Sequence, residues 1–229
     1  MVATTSGTTL FTLDVDDIIE EALEPIGGDW TNGVEQSKAR RALNLILIEL
    51  QNKNIPLHKI ATDTVTLVSA KQEYLLGSDV SDILEATLKT TSSATEFTLG
   101  RWGARAWHDI PNKDTAQRPT LFSTERNADV VTVKFWPVPN ASSTWTAELL
   151  VVKRVEDITS SYQRVDLPYR YYPLLVTWLS YKLSMTRTGV TEEVKNRIER
   201  ELDKIMADTF EEDRERVDSF IVPGGISGR

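Results

Sequence analysis

Apolar residues recur at helical spacing at both ends of the chain and at alternate positions through its middle. In "TLDVDDIIEEALEPIGG", Val15, Ile18, Ile19, Ala22 and Leu23 share one side of a helical period. Thr12 or Asp14 supplies an N-cap, and acidic residues fill the first turn. Pro25 and Gly27-Gly28 end the helix. "VEQSKARRALNLILIELQNKN" predicts a second helix with Leu43, Ile46, Leu47 and Leu50 as its main stripe. Leu45 and Ile48 widen that stripe, which predicts burial on more than one side. Lys38, Arg40 and Arg41 read as a solvated face, with a partner contact as the alternative.

From about residue 62 the period changes to two. "DTVTLV", "QEYLL", "DILEATLKT", "TEFTL", "PTLFSTE", "VVTVKFWPVP" and "TAELLVVKRV" predict short strands split by Gly, Pro, Asn and Ser clusters. Leu84, Ala86 and Leu88 are expected on one face of the third of these. A short helix from Ala104 to Asp109 interrupts the series and stops before Pro111.

Helical spacing then returns. Asp166 can cap the next helix, with Pro168 in its first turn and Leu174, Leu175, Trp178, Leu179 and Leu183 as its apolar positions. Thr191 caps a last helix whose stripe is Val194, Ile198, Leu202, Ile205, Met206 and Phe210. The order predicts an α+β fold. A helical bundle is built from both chain ends, with an inserted antiparallel β-domain, a barrel or a sandwich. The expected boundaries are 1–61 for the first helices, 62–160 for the β-domain, 161–219 for the last helices and 220–229 for an extended tail.

Composition narrows the function. The 229 residues include no cysteine, which removes thiol nucleophiles, disulfide frameworks and cysteine zinc sites. The net charge is −8, from 34 acidic and 26 basic residues. A protein that grips nucleic acid by its phosphates is normally basic; an acidic one suits a surface that DNA slides past. No signal peptide is expected, and apolar runs such as "LNLILIEL" fall short of the ~18 residues that span a membrane.

Little points to catalysis. His58 and His108 are the two histidines, neither in a nucleophile context, and both read as partly exposed structural residues. No zinc-protease helix, calcium loop or phosphate-binding lysine loop occurs. Acidic pairs such as Asp16-Asp17 and Glu192-Glu193 fall in first turns, where the helix dipole explains them. Trp102, Trp107, Trp136 and Trp145 all lie in the β-region. Core packing accounts for them; a carbohydrate-binding, even hydrolytic, platform is the alternative function.

The most individual part of the chain is the run Ile110-Pro111-Asn112-Lys113, then Arg118-Pro119-Thr120, then Trp136-Pro137-Val138-Pro139. Together with "KRVEDI" at 153–158, "DLPYRYYPLLVTWLSYKLSM" at 166–185 and "EEDRERVDSFIVP" at 211–223, it resembles the head-to-tail adaptor proteins of short-tailed bacteriophages. These are also called tail tubular protein A-like proteins or tail accessory factors. The resemblance runs from the first helix to the tail and departs in the first dozen residues and in "GGISGR". It implies a virion protein made in the host cytoplasm, with no enzymatic activity, cofactor or metal. Such a protein forms a ring, expected to be a dodecamer, beneath the portal protein. The ring extends the channel through which double-stranded DNA passes without specific binding, and it carries the tail nozzle or tube. A related connector ring, such as a stopper or tube terminator, is a neighbouring reading.

Two sets of site residues follow. Phe220, Ile221, Val222 and Pro223 form an apolar cluster with little chain left to cover it. Docking on the portal or a neighbouring copy would bury them; folding back on the β-domain is the rival account. Pro111, Asn112, Lys113, Arg118, Pro119, Trp136 and Pro137 form either a clamp within the β-domain or a contact with an adjacent subunit or the nozzle.

Overall fold

A computed structural model describes residues 11, 13–29, 33–53, 57–90, 93–140 and 144–212. Helix α1 (Val15–Leu23) opens with a capping box. The Asp14 carboxylate accepts from the Asp17 backbone N–H at 3.0 Å, and the Asp17 carboxylate accepts from the Asp14 N–H at 3.1 Å. Of the two expected caps, Asp14 does the work; Thr12 lies outside the described residues. All five apolar positions of α1 are buried. The chain leaves α1 through a 3-10 turn at Glu24–Ile26 and Gly27, whose φ of 64° suits a residue without a side chain.

Helix α2 (Gly33–Lys53) buries Ala39, Leu43, Ile46, Leu47 and Leu50. Leu45 and Ile48, expected to be buried as well, are each 55% exposed. The expectation fails because the two apolar sides of α2 point in opposite directions, and one side suffices for the core of a single chain. The basic residues divide: Lys38 and Arg41 are exposed, and Arg40 is half-buried.

Among the described residues, ten strands follow: β1 (Ile60–Leu67), β2 (Glu73–Leu75), β3 (Val80–Thr90), β4 (Ser93–Thr98), β5 (Gly100–Trp102), β6 (Ala116–Gln117), β7 (Leu121–Arg126), β8 (Val131–Trp136), β9 (Val138–Pro139) and β10 (Trp145–Lys153). Helix α3 (Ala104–His108) sits between β5 and β6, where the sequence placed it. β6 and β9 form a two-stranded pair, and two four-stranded sheets have the orders β1-β10-β3-β4 and β2-β8-β7-β5. Both contribute to one hydrophobic cluster, which includes Ile83, Leu88, Phe122, Val133, Phe135 and Leu149. No closed barrel forms among the described strands.

Two details differ from the expected antiparallel, alternating pattern. β5 pairs with β7, and β6 with β9, in parallel. The chain between β5 and β7 makes a crossover through α3 and β6, so it returns in the same direction. The second detail is in β3. Opposite β10 its register shifts twice, skipping Leu84 and Ser81. Each extra residue reverses the in-out sense of what precedes it. Val80, Ile83, Ala86 and Leu88 therefore face the core, and Leu84 does not.

Helix α4 (Tyr172–Thr186) buries Leu174, Leu175, Trp178, Leu179 and Leu183 and packs against α1, α2 and α5 (Glu192–Glu212). Apolar residues of α1, α2, α4 and α5 share a second cluster with Val155, Ile158 and Leu167 of the connecting segment. In α5, Ile198 and Leu202 are buried, and Ile205, Met206 and Phe210 pack against the cluster half-buried. The Thr191 hydroxyl accepts from the Val194 N–H at 3.4 Å, as a cap does. Asp166 caps no helix. Its carboxylate accepts from the Lys59 ammonium and from the Glu156 N–H, and α4 starts only after a 3-10 turn at Tyr169–Tyr171. A charged partner distant in sequence outcompetes the local N–H groups.

Candidate functional site

Of Pro111, Asn112, Lys113, Arg118, Pro119, Trp136 and Pro137, the structure joins Asn112 directly to Trp136 and gives Lys113 and Arg118 partners elsewhere. Their contacts begin with the geometry of a turn. The Asn112 side-chain oxygen accepts from the Asp114 N–H at 3.1 Å, two residues on. The Asn112 carbonyl then takes two donors, the Trp136 indole Nε1–H at 3.0 Å and the Thr115 hydroxyl at 3.3 Å. Lys113 folds back over the end of α3. Its ammonium donates to the carbonyls of His108 and Ile110, each at 3.0 Å, and its own carbonyl accepts from Gln72 at 3.1 Å. The loop therefore touches α3, the segment before β2, and β8.

Pro119 and Pro137 are buried, and Pro111 is exposed. The Trp136–Pro137 peptide is cis. The Arg118 guanidinium lies 4.2 Å from the centre of the Phe97 ring on β4, a cation–π placement that links the two sheets. The Thr115 carbonyl accepts from the Val138 N–H at 2.8 Å, next to the β6–β9 pair.

The tryptophans do not line up as a sugar platform. Trp107 and Trp145 are buried, Trp136 is committed to Asn112, and Trp102 is the exposed one. His58 is half-buried, its ring 6.1 Å from that of Tyr171, and His108 is exposed. Among the described residues, no group of His, Cys, Asp or Glu side chains could hold a metal ion. Among the same residues, no helix is long and apolar enough to cross a membrane.

The outer faces of the sheets are built from paired charges. Lys134 on β8 lies between Glu73 on β2 at 3.0 Å and Glu125 on β7 at 2.7 Å. Lys153 on β10 reaches Asp79 at 2.9 Å and Asp63 on β1 at 3.4 Å. Hydrogen bonding to Lys153 holds the Asp79 carboxyl below its ordinary range, and the same contact raises Lys153. Asp82 on β3 receives both Arg101 and Arg126. Such faces are satisfied within the chain.

Exposed apolar side chains lie elsewhere. Leu75 on the edge strand β2 and Val68 beside it are exposed, as are Tyr162, Tyr169 and Met185 near the helices. Val34, Leu45 and Ile48 are exposed along α2. The sequence pattern did not mark this last stripe as exposed, because periodicity shows apolar sides without saying which one the core covers. Phe220, Ile221, Val222 and Pro223 lie outside the described residues.

The described residues pair many of their outer charges within the chain and leave part of their apolar side chains on the surface. The chain belongs to the SU10 adaptor protein family, whose model matches residues 13–223 and so includes both helical regions and both sheets. It is a phage structural adaptor, a virion component that associates with others such as portal and tail. No curated protein matches the sequence significantly.

Proposed function

We propose that the chain forms a ring that docks beneath the portal of the filled head, extends the DNA channel and carries the tail nozzle or tube. The reading rests on the family match along residues 13–223. The protein acts by position, without a catalytic step. The net charge of −8 is consistent with a channel wall that DNA passes without binding. In this reading the helices of both ends make one bundle, 1–61 and 161–219, and the sheets, 62–160, are inserted in it. The Asn112–Lys113–Trp136 constellation acts as a clamp that holds the loop for its neighbours. Electron microscopy of the purified chain, alone and mixed with its portal, tests the reading. Rings that cap the portal are expected. A chain that neither assembles nor binds the portal overturns it.

The tail, 220–229, is the docking arm. Burying Phe220, Ile221 and Val222 contributes about 1.5–3 kcal/mol for each side chain, less the entropy of ordering the segment. Around a ring the contributions multiply as avidity. Deleting 220–229 is expected to abolish retention on the portal and leave the melting temperature within about 2 °C. Unchanged portal retention sinks the arm. A large loss of melting temperature favours the fold-back account.

A further inference from the structure

Helix α2 has two apolar sides. At about 100° per residue, Val34, Leu45 and Ile48 lie opposite the buried Leu43–Leu50 side, with Lys38 and Arg41 in the same stripe. Val34 is 63% exposed and Leu45 and Ile48 are 55% exposed each. Single exposed apolar residues are ordinary; three along one helix stripe form a ridge. The Arg41 Nε–H donates to the Ser37 carbonyl at 3.2 Å, and neither Lys38 nor Arg41 makes an ion pair among the described residues. On a chain of charge −8, this ridge is basic.

A second surface has the opposite character. Between α1, α4 and α5 lies a groove of about 220 Å³ to which α2 contributes no lining residue. Ser180 lines it, 2% exposed, and its Oγ is buried with no hydrogen-bond partner. Val176 and Ile198 supply apolar lining. Glu21, Glu24 and Glu201 outnumber Arg197, and none of the four makes an ion pair among the described residues. An unpartnered buried hydroxyl is costly.

We infer that the outer ridge of α2 on one copy seats in the α1–α4–α5 groove of a second copy. Lys38 and Arg41 would meet Glu21 and Glu24, while Leu45 and Ile48 cover the apolar lining at Val176 and Ile198. The two surfaces differ, so the contact is head-to-tail. Repeated contacts of that kind close into rings when the rotation allows and otherwise run on as filaments. The inference deepens the ring reading above, since it names the surfaces that join the copies.

Charge reversal tests it. One variant carries Lys38→Glu and Arg41→Glu; the other carries Glu21→Lys and Glu24→Lys. All four positions are exposed, and lysines near the C-terminal end of α1 suit the helix dipole, so both chains fold, as circular dichroism will check. Association is read by sedimentation of the full chain over a concentration series and by microscopy of the chain on its portal. Each variant alone is expected to lose association between copies by roughly tenfold or more. A one-to-one mixture restores it, because each altered surface then meets its complement. Variants that assemble like the parent, a mixture that fails to recover, or a parent whose copies never touch in either setting overturn the inference. Portal binding without contact between copies sinks this interface and leaves portal docking standing. Recovery on mixing, with no affinity for the portal, does the reverse.

Discussion

Trp136 ends β8 with its indole N–H on the Asn112 carbonyl at 3.0 Å, and the whole 110–119 loop leans on that contact. Trp136→Phe keeps most of the ring and removes the donor. It is expected to cost about 1 kcal/mol in urea denaturation; a loss near zero means that the loop holds without it. A second residue pair contributes to the acid response. The Arg187 Nη1 donates to both oxygens of Glu35, at 2.7 and 2.8 Å, and its Nη2 donates to the Gly27 carbonyl at 2.9 Å. Hydrogen bonding from Arg187, then from the Asp29 N–H, holds the Glu35 carboxyl below the usual carboxylate range. The unfolded chain therefore takes up that proton at a higher pH than the folded one. The stability from the pair is complete above the usual carboxylate range and is lost as pH falls through the lowered value. The stability difference between the parent chain and Arg187→Gln should shrink as pH falls through that window. A difference that stays constant to the acid limit rules the pair out as its source. Neither contact is legible from neighbours in the sequence. Glu35 and Arg187 are 152 residues apart, and the Lys59–Asp166 pair that removes Asp166 from its expected capping role spans 107.

At the scale of elements, legibility follows the range of the forces. Helix α1 is readable because its cap, its stripe and its Gly27 ending are local signals, and the buried positions of α4 are equally plain. β3 is only half readable. Its composition marks a strand, but the two register shifts against β10 belong to the pair of strands, so alternation selects Leu84 where the core holds Ile83. This makes a sharp mutational contrast. Ile83→Ala opens a cavity in the sheet core and is expected to cost about 2–5 kcal/mol, and Leu84→Ala less than about 1 kcal/mol. Equal costs in denaturant titrations would contradict the bulged register. The parallel pairing of β5 with β7 is hidden for a similar reason, because direction is set by the crossover and not by the strands themselves. α2 shows the remaining limit. Its two apolar sides are visible in the sequence, but which one serves the chain's own core depends on α1 and α4 packing against Leu43 and its neighbours.

For the molecule as a whole, the family match runs over residues 13–223 and so takes in the helices, the sheets and the loops between them. The sheets pair many of their outer charges internally, and the exposed apolar side chains include those on α2 and around the edge strand β2. One feature of the topology reaches beyond any single contact. The chain enters the sheets along β1 and leaves along β10, and the two are paired over their full length, Ile60 opposite Val152 at the mouth and Leu67 opposite Trp145 at the far end. Entry and exit are thus neighbouring antiparallel strands, whose facing Cα atoms are about 4.5–5.5 Å apart. A short Gly-Ser bridge from Lys59 to Arg154 is long enough to close the helices without the sheets. Such a chain is expected to keep its helical circular dichroism and a cooperative melt. On the proposed reading of the sheets as an insert, the adjacency of β1 and β10 makes them an exchangeable cassette in hereditary terms, replaceable by another insert whose two ends lie equally close together.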